Sequence, residues 1–330
     1  MAKLHPGAQS HTDETTRQAT VRARLVDTLD RVDVPQPNYR GKVRDVFHHG
    51  DEMLIVTTDR VSAFDVVLGT IPLKGSLLTE QAVFWLERAR DVIPTHLIER
   101  VDAQVMRCQK ARALPMELVV RGYLAGSLMR EPAETRGRDY GLRLPADLAP
   151  YAALAAPIIT PTTKAPSGEH DLPLSLDAIV AQGLVDARTL EAASEAALEL
   201  YRLGAAFARE RGLILVDTKY EFGMVDDKLV LIDEIHTADS SRYWLLETYA
   251  ARCAAADAPD MLDKERLRRW LLAQGFSGHG TPPVLSDDIR VDLASHYWEL
   301  TEKVTGGVFT PPSPHAAERV KGALDRALAT

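Results

Sequence analysis

Leu213-Ile214-Leu215-Val216-Asp217-Thr218-Lys219-Tyr220-Glu221-Phe222-Gly223 starts as a buried strand and turns charged without stopping. Its first four residues are apolar and include β-branched Ile214 and Val216. Asp217, Lys219 and Glu221 follow at a spacing of two, so they share one face of the strand. Val216, Tyr220 and Phe222 point the other way. Charged groups continue a buried strand only with partners, because desolvating them is costly. A second apolar run, Leu229-Val230-Leu231-Ile232, ends in Asp233-Glu234, and the intervening Gly223–Lys228 has the composition of a hairpin turn. With the tip near Asp226 and Asp227, Asp233 and Glu234 return beside Lys219 and Glu221. Three or four carboxylates and one lysine on a sheet suit Mg²⁺ bound to a nucleotide: the hard cation needs oxygen ligands, and the lysine meets phosphate charge. The bland alternative is a salt-bridge ladder on a strand that emerges into solvent.

A chain of 330 residues holds two domains, or one large one with appendages. The net charge of −8 argues against a nucleic-acid binder, while a local basic pocket would still admit a phosphate-bearing small molecule. Cys108 and Cys253 form no CxxC pair and suggest no disulfide framework. There is no signal-peptide core and no apolar run of the roughly 18 residues that a membrane span needs. The expectation is a reduced, cytoplasmic protein with no membrane partner, a monomer or small homo-oligomer.

The layout expected is α+β, with two sheet-bearing parts, largely antiparallel sheets flanked by helices, and a nucleotide cleft between them. Residues 1–18 read as a flexible tail, 19–115 as a β-rich domain, and 116–330 as an α+β domain carrying substrate and metal sites plus C-terminal helices. Helices are expected over Ala19–Asp33, Leu78–Arg90, Ala187–Arg211, Asp263–Gln274, Asp287–Thr305 and Ser313–Leu328. Strands are expected at Val43–Phe47, Met53–Thr58, Phe64–Leu68, Val101–Cys108 and Glu117–Val120. Residues 131–173 are rich in Pro, Gly and charge, too long for a passive connection, and read as a functional loop region.

No Walker loop, dinucleotide fingerprint, HExxH, GxSxG or kinase signature is present. In Arg40-Gly41-Lys42-Val43-Arg44-Asp45-Val46-Phe47, a glycine enters a strand with Lys and Arg on alternate positions. That arrangement can lay backbone N–H groups and a lysine over a triphosphate, or be a basic edge strand. Thr57-Thr58-Asp59-Arg60-Val61-Ser62-Ala63-Phe64-Asp65 interrupts two apolar runs with polar groups and no Gly or Pro. In Val119-Val120-Arg121-Gly122-Tyr123-Leu124-Ala125-Gly126-Ser127, an arginine leaves a buried-type strand, followed by glycines that allow close backbone approach. Arg121 with Ser127 would suit a phosphate or carboxylate, or pair with a structural carboxylate. Asp239-Ser240-Ser241-Arg242 reads as a second arginine beside hydroxyls, or as an N-cap with helix from near Tyr243. Gly168-Glu169-His170-Asp171 offers a metal ligand set with no second histidine at ligand spacing.

In this order, GKVRDVF, TTDRVSAFD, ELVVRGYLAGS, ITPTTKAPSGEHD, LVDTKYEFG and LIDEIHTADSSRYW resemble the SAICAR synthetase family over about residues 40–270. The resemblance implies a ligase that takes ATP, carboxyaminoimidazole ribonucleotide (CAIR) and L-aspartate, with Mg²⁺, on a fold similar to ATP-grasp enzymes and kinase N-lobes. It implies that Gly41, Lys42, Val43 and Arg44 cover ATP and that Asp217, Glu221 and Asp233 surround nucleotide and metal, with Glu221 and Asp233 as metal ligands. Lys219 would neutralise charge among them. Arg121, Ser127 and Arg242 would hold the ribonucleotide, and Asp59, Arg60, Ser62 and Lys164 would border substrate. Ala238 stands where the family is expected to have Pro. A kinase-like phosphotransferase and an inactive purine-nucleotide binder are the competing readings.

Overall fold

In the computed structural model, which describes residues 11–33, 35–164, 171–262 and 265–329, three aspartates shape the N-terminal segment. Asp13 caps helix α1 (Glu14–Arg22), its side chain accepting from the N–H of Thr16. The helix then stops, although Leu25 and Leu29 continue the spacing. Buried carboxylates capture the backbone donors that a helix would need: Leu29 N–H donates to Asp59 at 2.7 Å and Val32 N–H to Asp45 at 3.0 Å. The helix expected over Ala19–Asp33 therefore ends at Arg22, and helix begins inside the stretch read as a tail.

Strands β1 (Tyr39–Arg40), β2 (Arg44–His49) and β3 (Glu52–Thr57) form an antiparallel meander. Strands β4 (Arg60–Ala63) and β5 (Val66–Thr70) form a separate hairpin. Its turn residues, Phe64 and Asp65, both take positive φ. That conformation makes a two-residue turn without glycine, which is why the sequence shows no turn signal there. Helix α2 (Lys74–Ala89) precedes β6 (Leu97–Asp102) and β7 (Val105–Gln109). Where one strand was expected over Val101–Cys108 there are two, in a sheet ordered β1-β2-β3-β7-β6.

The next segment builds a second sheet. It comprises β8 (Arg112–Ala113), β9 (Met116–Tyr123), the short helix α3 (Gly126–Arg130), β10 (Ala153–Thr163), helices α4 (Leu176–Ala181) and α5 (Ala187–Arg209), β11 (Leu213–Val225), β12 (Lys228–Ile232), β13 (Ser241–Leu245) and helix α6 (Leu246–Ala254). β11 pairs antiparallel with β8, β9, β12 and β13 along its length. Helix α5 packs Leu190, Ala193, Ala197, Leu200, Tyr201, Gly204 and Ala208 inward, at helical spacing. The β11–β12 turn falls at Asp226 and Asp227, where it was expected, and both take positive φ. Two expectations fail here. β10 is an eleven-residue strand inside the stretch read as loop, because its pairing to β9 rather than any periodicity of its own defines it. Ser241–Leu245 is a strand and not a helix start, drawn into extended form by pairing with β11.

Helices α7 (Glu265–Ala273), α8 (Asp287–Thr305) and α9 (Ala316–Leu328) complete the chain close to their expected spans. The chain divides into two units. One gathers residues up to Phe84, Ile98–Cys108 and those from Leu262 onward; the other is Trp85–Leu97 with Gln109–Met261. The C-terminal helices thus join the N-terminal unit, not the second domain expected from residue 116. The physical reason is one core: Leu29, Val32, Phe47, Leu54, Val56 and Val105 bury against Ala316, Val320, Ala323, Leu324 and Ala327 of α9. No helix among the described residues is long and apolar enough to cross a membrane.

Candidate active site

Strand register in the second unit puts the charges on one face. Arg121 and Val119 of β9 sit opposite Asp217 and Lys219 of β11. Thr160 and Thr162 of β10 sit opposite Val119 and Glu117, and Arg242 of β13 sits opposite Asp217. Residues paired across antiparallel strands present their side chains to the same side. Glu117, Arg121, Thr160, Asp217, Lys219, Glu221 and Arg242 therefore share one surface.

Two clusters divide that surface. At one end, the Asp217 carboxylate accepts from Arg121 at 3.0 Å and from Arg242 at 2.6 Å. Arg121 also donates to Thr160 Oγ1 at 2.9 Å and to Ser127 Oγ at 3.1 Å. Burial lowers the Arg121 pKa, against the pull of Asp217. Tyr140 hydrogen-bonds Ser127 from the loop beyond α3. Gly126 has φ +60°, and a Cβ there would lie 2.7 Å from the Arg242 guanidinium, so the glycine makes room for it.

At the other end, Lys219 Nζ lies 3.0 Å from Glu117 and 3.5 Å from Asp233, and it pairs closely with Glu221, which also pairs with Lys164. Burial works against the Lys219 charge, but Glu221, Asp233 and Glu117 outweigh it and hold the amine well above its ordinary range. Burial would likewise raise Glu221, yet Lys219 and Lys164 hold it far below the usual carboxylate range. Glu117 goes the other way: burial pushes its carboxyl up to about 7 in spite of Lys219.

The sequence reading placed Asp217 with Lys219, Glu221 and Asp233. The structure separates it, since the two arginines take up Asp217. Glu117, Thr160 and Tyr140 were missed. Running the period of two backward from Arg121 reaches Glu117, so that residue was recoverable; Thr160 and Tyr140 enter only through β10 pairing and a long loop. Gly168, Glu169 and His170 lie outside the described residues.

Behind the sheet, the alternate face of β11 fixes the segment that carries Asp233. Tyr220 Oη and His236 Nε2 are 2.6 Å apart, and both residues are fully buried. Burial depresses His236 to about 3, so the pair is neutral. Tyr243 donates to the His236 carbonyl at 2.7 Å, and only glycine fits at 204, because a Cβ there would meet the imidazole at 2.4 Å. His96 approaches the carbonyl of Asp233 at 3.3 Å, supporting a residue held at φ 63°.

In the first unit, the Gly41–Arg44 turn is gripped from behind. Arg60 donates to the carbonyls of Gly41 and Lys42 at 3.0 Å each, to that of Asp30, and to Asp45 at 2.8 Å. Thr58 donates to the Val43 carbonyl through both N–H and hydroxyl. Lys42, half exposed, pairs with Asp65. Asp59 accepts from the N–H groups of Leu29 and Gly75 at 2.7 and 2.8 Å, and burial raises it to about 6. Asp59 and Arg60, expected to border substrate, are buried, with polar atoms engaged by backbone groups and, for Arg60, also by the Asp45 carboxylate. Ser62 is partly buried on β4, opposite Val67.

Comparison with known proteins follows the same lines. The SAICAR synthetase family model matches residues 37–281. A putative phosphoribosylaminoimidazole-succinocarboxamide synthase 2 of Mesorhizobium japonicum is 43% identical over 279 residues, 83% of this chain and 89% of that one. The phosphoribosylaminoimidazole-succinocarboxamide synthase of Cytophaga hutchinsonii is 43% identical over 277 residues, again 83% and 89%. Among solved structures, a SAICAR synthase from Saccharomyces cerevisiae complexed with SAICAR matches at TM-score 0.72 and 30% identity, over 83% of this chain and 95% of that one. A SAICAR synthetase in complex with ADP matches at TM-score 0.63 and 25% identity, over 83% and 99%.

Proposed function

The chain belongs to the SAICAR synthetase family, and we propose on that premise that it uses ATP to join L-aspartate to the carboxylate of CAIR, giving SAICAR, ADP and phosphate in purine biosynthesis. The observation that carries the reading is the division of one sheet face into an arginine end and a lysine–carboxylate end. Arg121, Arg242 and Ser127 supply a fork, a second guanidinium and a hydroxyl, a donor set for the anionic ribonucleotide. Lys219 and Lys164 supply positive charge at the other end, where ATP phosphates would lie.

A carboxylate is a poor acyl donor. In the sequence of steps we propose, a CAIR carboxylate oxygen attacks the γ-phosphorus of ATP and ADP leaves. The aspartate amine then attacks the acyl carbon, and phosphate departs with that oxygen. Lys219 meets the charge that develops during phosphoryl transfer, and Arg121 and Arg242 keep the ribonucleotide in register. The residues that would hold Mg²⁺ are Asp233 and Glu221, whose carboxylates are hard oxygen donors, although no group of three or more His, Cys, Asp or Glu among the described residues is arranged to hold a metal alone. Phosphate oxygens and water would complete the shell, as is usual for this ion. When bound, Mg²⁺ would neutralise phosphate charge. We place the protein in the cytoplasm, where cysteines such as Cys108 and Cys253 stay reduced and form no disulfide.

The test is ADP release by the purified protein with ATP, Mg²⁺ and CAIR, with and without L-aspartate. Aspartate-dependent release with matching amide is expected; release indifferent to aspartate means a kinase or uncoupled ATPase. Oxygen-18 should pass from the CAIR carboxylate to phosphate, and its failure to do so removes the acyl phosphate.

A further inference from the structure

Between α3 and β10 the chain folds a loop that meets the candidate active site through Tyr140 and carries arginines the proposed reaction does not use. Gly137 and Gly141 take φ of 79° and 74°, and the Leu142 N–H closes onto the Gly137 carbonyl at 2.9 Å. The Gly137 N–H is held by the Glu131 carboxylate at 2.8 Å. Tyr140, Leu142 and Leu144 anchor the loop in a core cluster with Leu124 and Leu128. With those side chains spent on packing, Arg136, Arg138 and Arg143 line a cavity of about 520 Å³, together with Glu134 and Thr135.

None of the three arginines has a carboxylate partner among the described residues. Arg138 and Arg143 are exposed, and Arg136 makes one long bond, to the Glu131 carbonyl at 3.3 Å. Its Nε and Nη1 are buried without acceptors. Elsewhere in this acidic chain most arginines are paired, as at Arg121, Arg242, Arg60 and Arg319. In the cavity lining three guanidiniums stand against one carboxylate, Glu134, while the Glu131 carboxylate of the same loop is spent on the Gly137 N–H.

We infer that this loop is a second anion site, taking a phosphate-bearing solute, distinct in its residues from the Arg121–Ser127–Arg242 cluster. Guanidinium forks and the Thr135 hydroxyl match phosphate oxygens bidentately. The inference does not rest on the ligase reading.

Calorimetric titration of the full chain tests it, using inorganic phosphate, pyrophosphate and AMP without metal. The wild type should show pyrophosphate binding that persists in Arg121→Ala, within about threefold, and weakens by about tenfold or more in R138Q/R143Q. R138K/R143K, which keeps charge but not the fork, should fall between. Tighter AMP than phosphate identifies a nucleoside monophosphate as the source; equal binding identifies free phosphate. Loss of all binding in Arg121→Ala, or wild-type binding by R138Q/R143Q and R138K/R143K, overturns the site and leaves the ligase reading intact.

Discussion

Asp217 and Glu221 stand four residues apart on one face of β11, about 13 Å by strand rise, yet their surroundings have opposite sign. Asp217 is one carboxylate between two arginines, net plus one. Around Glu221, two lysines face Glu117, Glu221 and Asp233, net minus one when all are ionised. A single strand thus offers an anion seat and a cation seat, with one alternating register to space them. The lesson is that a run of like-facing charges is not one site. The neighbouring strands assign each charge its partners.

Removing the carboxylate at the anion seat should have the largest effect. Asp217→Asn leaves two guanidiniums facing each other, one of them buried, and should cost about 3–5 kcal/mol of stability; a denaturant midpoint close to wild type would show that the arginines do not depend on Asp217. Asp233→Asn acts at the cation seat and should lower kcat by about two orders of magnitude with the fold intact. Near-normal turnover would remove Asp233 from the metal and phosphate machinery. Arg121→Ala should weaken ribonucleotide binding by about tenfold or more while ATP affinity changes little, and an equal loss for both ligands would erase the distinction between the seats.

The smallest effect should come from Glu117→Gln. The folded chain holds the Glu117 proton more tightly than the unfolded chain does, so this group favours the fold at low pH and that advantage is lost as pH rises through about 7. The same ionisation adds a negative charge beside Lys219. Half-saturating Mg²⁺ should therefore fall as pH passes about 7 in the wild type, and Glu117→Gln should flatten that step by less than about tenfold in affinity. A pH profile unchanged by the substitution would give the step to another group.

The strand, its turn and its like-facing charges were legible beforehand, but the split between the two seats was not: the sequence reading grouped Asp217 with Lys219, Glu221 and Asp233. The period of two in β11, the turn at Asp226–Asp227 and the return of Asp233 follow from alternation and turn chemistry, which act over a few residues. What stayed hidden is what arrives from far along the chain. Thr160 reaches Arg121 only through β10, and no local pattern marks that strand. The capture of Leu29 and Val32 N–H groups by Asp59 and Asp45 ends helical structure that periodicity alone would extend. Asp59 and Arg60 were read as bordering substrate; charge in an apolar context signals either function or buried support, and sequence cannot show that their partners include backbone atoms and Asp45. The transfer of α9 to the N-terminal unit is of the same kind.

That transfer has a consequence for the order of synthesis. Leu54, Val56 and Val105 leave the ribosome early, but α9 helps to cover them only after about 210 to 260 further residues, roughly 10–50 s at ordinary elongation rates. The second unit, continuous from Gln109 to Met261 apart from Trp85–Leu97, has its full sequence before α9 is made. The expected order of folding therefore departs from the order of the sequence: the middle of the chain can close first, while the N-terminal strands keep an apolar face open until α9 is made.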